Sequence, residues 1–320
     1  MRILVPLNNA VNIEGFVKAG ASEFYIGFYD EQWTETFGEY SDINRMSGFK
    51  AHANQYDFEQ MLDAIKKIKD FGQRAFVTLN ANVYTKDQID FIATNYFPSL
   101  KAANTDGVIV STVEMGRAAR TSGIEPVGST MLGVYNRDIA AYYFKQGIRR
   151  IILPRDLSLD EIAGIISSLP DADFEVFLLR NGCVFSDGFC LGTHRIKCGS
   201  TCGYLRESQT TVITNFKGFE DQHAMRLNSR VYKTLFHKDA CGLCALYRFK
   251  EMGVTSLKIV GRADNAVSVC DDILLTKANL ELLEKCSSEE EYLRRMKFPK
   301  NANTQCLLGL SCYYPEVRFK

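Results

Sequence analysis

The sequence predicts a single α/β domain of the TIM-barrel type, a (β/α)8 barrel with a cysteine-rich insertion between strands seven and eight. Three observations predict it. Eight short apolar runs recur along the chain, amphipathic stretches separate them, and several of those stretches stop at a glycine just before the next run. Alternating strand and helix patterns of this kind fold as parallel sheets wrapped by helices.

The strands are read at residues 3–6, 23–27, 74–79, 107–110, 126–129, 150–153, 174–179 and 256–260. Most are near-continuous apolar runs, as parallel strands buried on both faces require. Helices are read at 56–71, 86–102, 113–122, 136–146, 158–168, 240–252 and 266–284. In the first, Phe58, Met61, Leu62, Ile65 and Ile68 share one face and Gly72 ends it. Gly20, Gly147 and Gly253 stand at the same place after other helices. An open, doubly wound sheet is the alternative, because periodicity does not show closure. No glycine-rich phosphate fingerprint follows the first strand, where Leu7-Asn8-Asn9 stands.

The regularity breaks twice. Residues 29–54 read as a long polar loop bearing aromatics, and residues 180–239 form the insertion before strand eight. Long loops inside a compact domain usually carry function. The barrel domain is placed at 1–296, including the cysteine-rich loop 180–239, and a C-terminal tail at 297–320.

Of 320 residues, 38 are Lys or Arg and 38 are Asp or Glu, so no net basic field invites nucleic acid. The chain opens on strand-like Met1-Arg2-Ile3-Leu4-Val5, with no signal peptide, and no run reaches the roughly 18 apolar residues of a membrane span. A cytoplasmic location is expected. In a reducing compartment, thiols serve as small core residues, metal ligands or catalytic groups. All ten cysteines lie from Cys183 onward. Cys183, Cys190, Cys198, Cys202, Cys241 and Cys244 fall in or just after the insertion, which a barrel delivers to its C-terminal rim. Clustered thiolates select zinc or iron–sulfur centres. Zinc ribbons pair two short-spaced knuckles, a pattern these intervals do not reproduce, so zinc is the alternative. Six separately buried thiols are the plain structural reading.

Three segments read as strands with polar ends: Ala19-Gly20-Ala21-Ser22-Glu23-Phe24-Tyr25-Ile26-Gly27, Phe76-Val77-Thr78-Leu79-Asn80 and Arg150-Ile151-Ile152-Leu153-Pro154-Arg155-Asp156. Later come Glu175-Val176-Phe177 through Cys183, Ser186, Gly188 and Cys190, then Cys198 with Cys202, Lys238-Asp239-Ala240-Cys241, and Gly253 through Arg262. Together, in this order, they resemble a known family, the collagenase-like peptidases of family U32, whose relatives include oxygen-independent hydroxylases of ubiquinone precursors and of RNA bases. The resemblance implies a 4Fe-4S cluster held by Cys183, Cys190, Cys198 or Cys202, and Cys241. Some relatives use both members of the close pair, so that choice stays open. Cys244 has no counterpart, and Cys270, Cys286, Cys306 and Cys312 read as core or tail thiols. A second metal site formed with the tail is a further reading. Departures are Val260 where the family has Glu, Val127 and Met131 where it has His and Gln, and Gly203 where it has Arg.

Strand-end polar residues point to the rim: Asn8, Tyr25, Asn80, Ser111, Ser129, Arg155, Asp156, Arg180, Lys258 and Arg262. Asn80, Arg155, Lys258 and Arg262 are the catalytic candidates. The three cations would make a pocket for a carboxylate or phosphate, and the hydroxylating relatives are thought to draw a hydroxyl from prephenate, a dicarboxylate. The structural alternative pairs Arg155 with Asp156 and makes Lys258 a snorkelling lysine. No Gly-x-Ser-x-Gly or His-Glu-x-x-His is present. His194 and His237 flank cysteines, while His52 and His223 have no evident partner. Three functions remain in view: a cluster-dependent hydroxylase or modification enzyme, a peptidase, and a non-catalytic cluster-binding subunit of a heterodimer. The expected partners are a small carboxylate co-substrate and a related barrel.

Overall fold

The computed structural model describes residues 1–48, 53–54, 56–183, 186–190, 240–299 and 312–318. Eight parallel strands close into a barrel in sequence order. They are β1 (Arg2–Leu7), β2 (Glu23–Ile26), β3 (Arg74–Leu79), β4 (Gly107–Val110), β5 (Pro126–Gly128), β6 (Arg150–Ile152), β7 (Asp173–Leu179) and β8 (Ser256–Ile259). β1 pairs with β2 on one side and β8 on the other, which excludes the open sheet. The helices are α1 (Ile13–Ala19), α2 (Glu31–Phe37), α3 (Phe58–Asp70), α4 (Lys86–Asn95), α5 (Phe97–Ala102), α6 (Val113–Thr121), α7 (Arg137–Lys145), α8 (Leu159–Ser168), α9 (Leu246–Met252), α10 (Ala266–Leu283) and α11 (Glu289–Arg295). Among the described residues no helix is long and apolar enough to cross a membrane.

Three segments depart from the sequence reading. The loop at 29–54 contains α2, capped by Asp30, whose side chain accepts from the Gln32 amide at 3.1 Å. Its Trp33 packs against Phe37 at 4.6 Å and Phe91 at 5.7 Å. One buried aromatic in seven residues is too short a pattern to read as a helix period. The predicted helix 86–102 is two helices, α4 and α5, with Pro98 in the first turn of the second, where a missing N–H costs nothing. The predicted helix 240–252 begins only at Leu246. Cys241 instead forms an antiparallel bridge with Leu179, extending β7 beyond the barrel.

The barrel floor is filled with paired charge. Glu23, fully buried at the start of β2, takes Arg150 in a fork at 2.8 and 2.5 Å. It also accepts from Arg74 at 2.9 Å and from the Ser256 hydroxyl at 2.6 Å. Arg150 reaches Glu175 at 3.0 Å, and Glu175 takes Lys258 at 2.7 Å. Burial alone would raise the Glu23 pKa, but Arg150 and its neighbours outweigh it and hold the carboxyl at about 2. Breaking such a network by removing one partner leaves a buried charge uncompensated. Glu23→Gln is therefore expected to cost about 3 kcal/mol of unfolding free energy, checked by urea denaturation at neutral pH; a loss under about 1 kcal/mol would make the network dispensable.

Candidate active site

The exit of β7 sets the site. Arg180 (φ 67°) and Asn181 (φ 48°) are both left-handed, a conformation that costs non-glycine residues energy and must be held by neighbours. The Arg180 amide donates to the Ala240 carbonyl and the Gly242 amide to the Leu178 carbonyl, each at 2.7 Å. The Arg180 guanidinium binds Asp272 and, at 3.1 Å, the Ser268 carbonyl. Asn181 donates to Asp264 at 2.9 Å. These contacts turn the chain so that Cys183 stands at the rim.

The segment at 186–190 then crosses the barrel mouth. Asp187 is buried between two arginines: Arg155 donates at 2.8 and 3.2 Å and Arg45 at 2.6 Å. Burial would raise the Asp187 pKa, but Arg155 and Arg45 outweigh it and hold it at about 2. Asn82 donates to the Cys190 carbonyl at 3.4 Å, and Tyr135 bonds the Ser186 hydroxyl. Loops after β2, β3, β5 and β6 thus all grip this crossing. Arg155 also stacks on Phe177 at 4.4 Å. Its ion pair is with Asp187, not with the exposed Asp156.

The three predicted cations are separated. Lys258 lies inside the barrel, bound to Glu175 and 4.2 Å from the Tyr25 ring centroid. It belongs to the charge-balanced floor rather than to the rim pocket expected of it, because position 258 falls mid-strand. Arg262 is the exception. It is 6% exposed, and its partners are neutral: Thr78 at 2.9 Å, Asn54 at 3.2 Å and Asn44 at 3.3 Å. Among the described residues no carboxylate pairs with it. Burial, aided by Arg45 and opposed by Tyr25, lowers its pKa to about 10, which leaves it charged at neutral pH. Gly27 makes room for it: a Cβ there would lie 1.9 Å from Nη1. Asn44 and Asn54 are fully buried and bonded to each other at 3.2 Å, so the guanidinium is held rigidly. The guanidinium is thus a fixed, desolvated cation whose charge is not neutralised by any carboxylate among the described residues. Asn80 bridges two loops, accepting from the Arg45 amide at 3.3 Å and donating to Ser129 at 3.2 Å.

Of the predicted thiols, Cys183 follows the β7 exit and Cys241 pairs onto it. Cys198 and Cys202 lie outside the described residues, as do all four histidines and Cys306. Among the described residues no three His, Cys, Asp or Glu side chains form a set disposed to hold a metal ion. Cys312, together with burial, pushes the Cys244 pKa well up, so a cysteine without a family counterpart lies near one from the tail. Sequence reasoning missed Arg45, Asn44, Asn54, Asp187 and Tyr313. Only Asp187, inside the cysteine signature, offered a signal.

A sequence profile described as Peptidase family U32 matches residues 8–305. The chain belongs to peptidase family U32. Among curated U32-like relatives, an uncharacterized protease of Methanocaldococcus jannaschii is 25% identical over 276 residues, covering 83% of this chain and 61% of its own length. The collagenase of Porphyromonas gingivalis is 22% identical over 275 residues, 82% of this chain and 61% of its own. The tRNA hydroxylation protein P of Escherichia coli is 23% identical over 255 residues, 65% of this chain and 55% of its own. The chain therefore spans about three fifths of the length of these U32 relatives.

The clamp on Asp187 has a pH signature. Its folded pKa lies below the ordinary 3.8, so the stability it contributes is complete above about pH 4 and is lost as pH falls through about 2. That amounts to roughly 2 kcal/mol. Urea midpoints are expected to hold steady from pH 7 to 5 and fall between pH 4 and 2. Asp187→Asn should be less stable at pH 7 and show a shallower fall, with Glu23 supplying the remainder. An unchanged acid limb in Asp187→Asn would refute the clamp.

Proposed function

We propose that this chain is an iron–sulfur-cluster-dependent, oxygen-independent hydroxylase or related modification enzyme. One observation carries the reading: the Cys241 segment pairs onto the end of β7, the strand end that Cys183 follows, in a barrel that also holds a buried cation, Arg262, with no acid partner among the described residues. The family supports it through relatives named tRNA hydroxylation protein P.

The donor type suits an iron–sulfur group, since thiolates are its soft ligands, although Cys183, Cys190 and Cys241 are not grouped as a metal-holding set among the described residues. Cys183, Cys190 and Cys241, with Cys198 or Cys202, would be its ligands. A cluster bound there supplies one-electron redox chemistry. Arg262, fixed by Asn44, Asn54 and Thr78, binds the anionic group of a small carboxylate co-substrate. The crossing segment, locked through Asp187, covers that substrate from water. Asn80 holds the Arg45 loop that carries part of this lock.

The peptidase named for two relatives would need a nucleophile and a base. Cysteines committed to a cluster are not free nucleophiles, and Asp187 is tied between two arginines. Val127, Met131 and Val260 motivate the remaining alternative, a non-catalytic subunit beside a related barrel; turnover by the purified chain alone would remove it.

Protein purified without oxygen is expected to be brown and to carry about four irons per chain, by iron count and absorption spectrum. Cys183→Ala and Cys241→Ala should each lose the iron, while Cys286→Ala keeps it. A colourless, iron-free wild type rejects the reading. The anion seat is tested separately with malonate. At 100 times Kd it should stabilise the wild type by about 2.7 kcal/mol in thermal melts, and Arg262→Gln should show no such gain. Equal gains in both would move the seat elsewhere.

A further inference from the structure

The segment Cys312–Arg318 returns to the barrel and docks at the β7 exit. Cys241 is bridged to Leu179 on one side and to Cys312 on the other, so three short stretches form a ribbon that continues β7 past the barrel wall. Tyr313 grips two of them at once. Its amide donates to the Cys241 carbonyl at 3.0 Å, and its hydroxyl donates to the Arg180 carbonyl. Arg180 lies three residues before Cys183 and is left-handed, and its amide is already bound to Ala240. The Tyr313 hydroxyl therefore fixes the carbonyl of the very turn that aims Cys183.

The rest of the segment anchors this grip. The Tyr314 hydroxyl donates to the Phe177 carbonyl at 2.8 Å, and its ring packs on Gly242 so closely that a Cβ there would lie 2.7 Å from it. Glu316 accepts from the Leu159 amide at 2.7 Å, at the start of α8. The Tyr313 ring lies 5.9 Å from Phe177, the ring on which Arg155 stacks, and is 8% exposed.

Resting on the cluster reading above, we propose that Tyr313 is a positioning residue for the thiolate site: it holds the Cys183 and Cys241 segments in register. It touches neither substrate nor reacting atoms. A purely structural tyrosine would give the same loss of stability wherever in the segment a hydroxyl was removed. A positioning tyrosine changes the properties of what the thiols hold.

The test compares Tyr313→Phe with Tyr314→Phe in the full chain, purified without oxygen. Each variant loses one hydroxyl-to-carbonyl bond from the same segment. The readouts are iron per chain, the spectrum and reduction potential of the bound iron, its bleaching rate in air, and the thermal midpoint of the iron-free protein. Both variants should bind iron and melt alike. Tyr313→Phe should bleach at least threefold faster than wild type and shift in potential, and Tyr314→Phe should match wild type on both. If Tyr313→Phe is indistinguishable from Tyr314→Phe on iron-bearing protein, the role of Tyr313 fails alone. If wild type carries no iron, the cluster reading fails and the role falls with it. Should Tyr313→Phe not fold, Tyr313→Trp, which keeps a ring beside Phe177 without the hydroxyl, is read by the same bleaching and potential measurements, with wild-type values overturning the proposal.

Discussion

Charge pairing across a closed parallel barrel is the constraint on which the rest of this structure depends. A closed ring of eight strands leaves an interior that must be filled, and here it is filled with ionised side chains. Such groups persist away from water only when each has a partner. At the floor that condition is met: Glu23 ties β2 to β3, β6 and β8 through Arg74, Arg150 and Ser256, and Glu175 joins Arg150 to Lys258. Towards the mouth the balance changes. Asp187 is shared by two arginines, and Arg262 has neutral partners. Among the described residues, Arg45, Arg155 and Arg262 thus have one buried carboxylate between them, Asp187.

The strands were legible because strands buried on both faces announce themselves by apolar continuity, which needs no partner to be recognised. β3 and β4 have the bounds the sequence predicts, and the others differ by a residue at one or both ends. What the sequence hides is pairing at a distance. Lys258 reads as a rim cation until Glu175, on the neighbouring strand, is known to face it. Arg155 reads as the partner of Asp156 until the chain after β7 folds back and brings Asp187 under it, 32 residues away. Asn44 and Asn54 sit in a polar stretch where nothing distinguishes a buried amide from a solvated one. Their role follows only from the guanidinium they surround.

The cysteines show the same division. Their crowding after Cys183 marks a thiol-rich rim in the sequence itself, but their grouping depends on backbone pairing that no spacing rule contains. Cys241 belongs with the β7 exit because residues 240–242 pair there instead of starting a helix. Cys312, which reads as a tail thiol, joins through the other edge of the same stretch. A single short ribbon therefore decides which thiols are neighbours, and the two consecutive left-handed residues at its base are the strained point it must hold.

A family that includes proteins named as proteases and as tRNA hydroxylation factors is intelligible on these terms, because the floor and the mouth are separable. Floor charges specify the barrel whatever the reaction, and the mouth is free to vary. In this chain the variation has a direction. Val260 follows β8, and its amide is bound to the Leu179 carbonyl at 3.0 Å, between the thiol-bearing exit and Arg262. The resembling family carries glutamate at that position. A carboxylate there would add a proton carrier and a negative charge two residues before Arg262, a buried cation with no acid partner among the described residues. Valine supplies neither, so the Arg262 charge is left without a carboxylate from this stretch of chain.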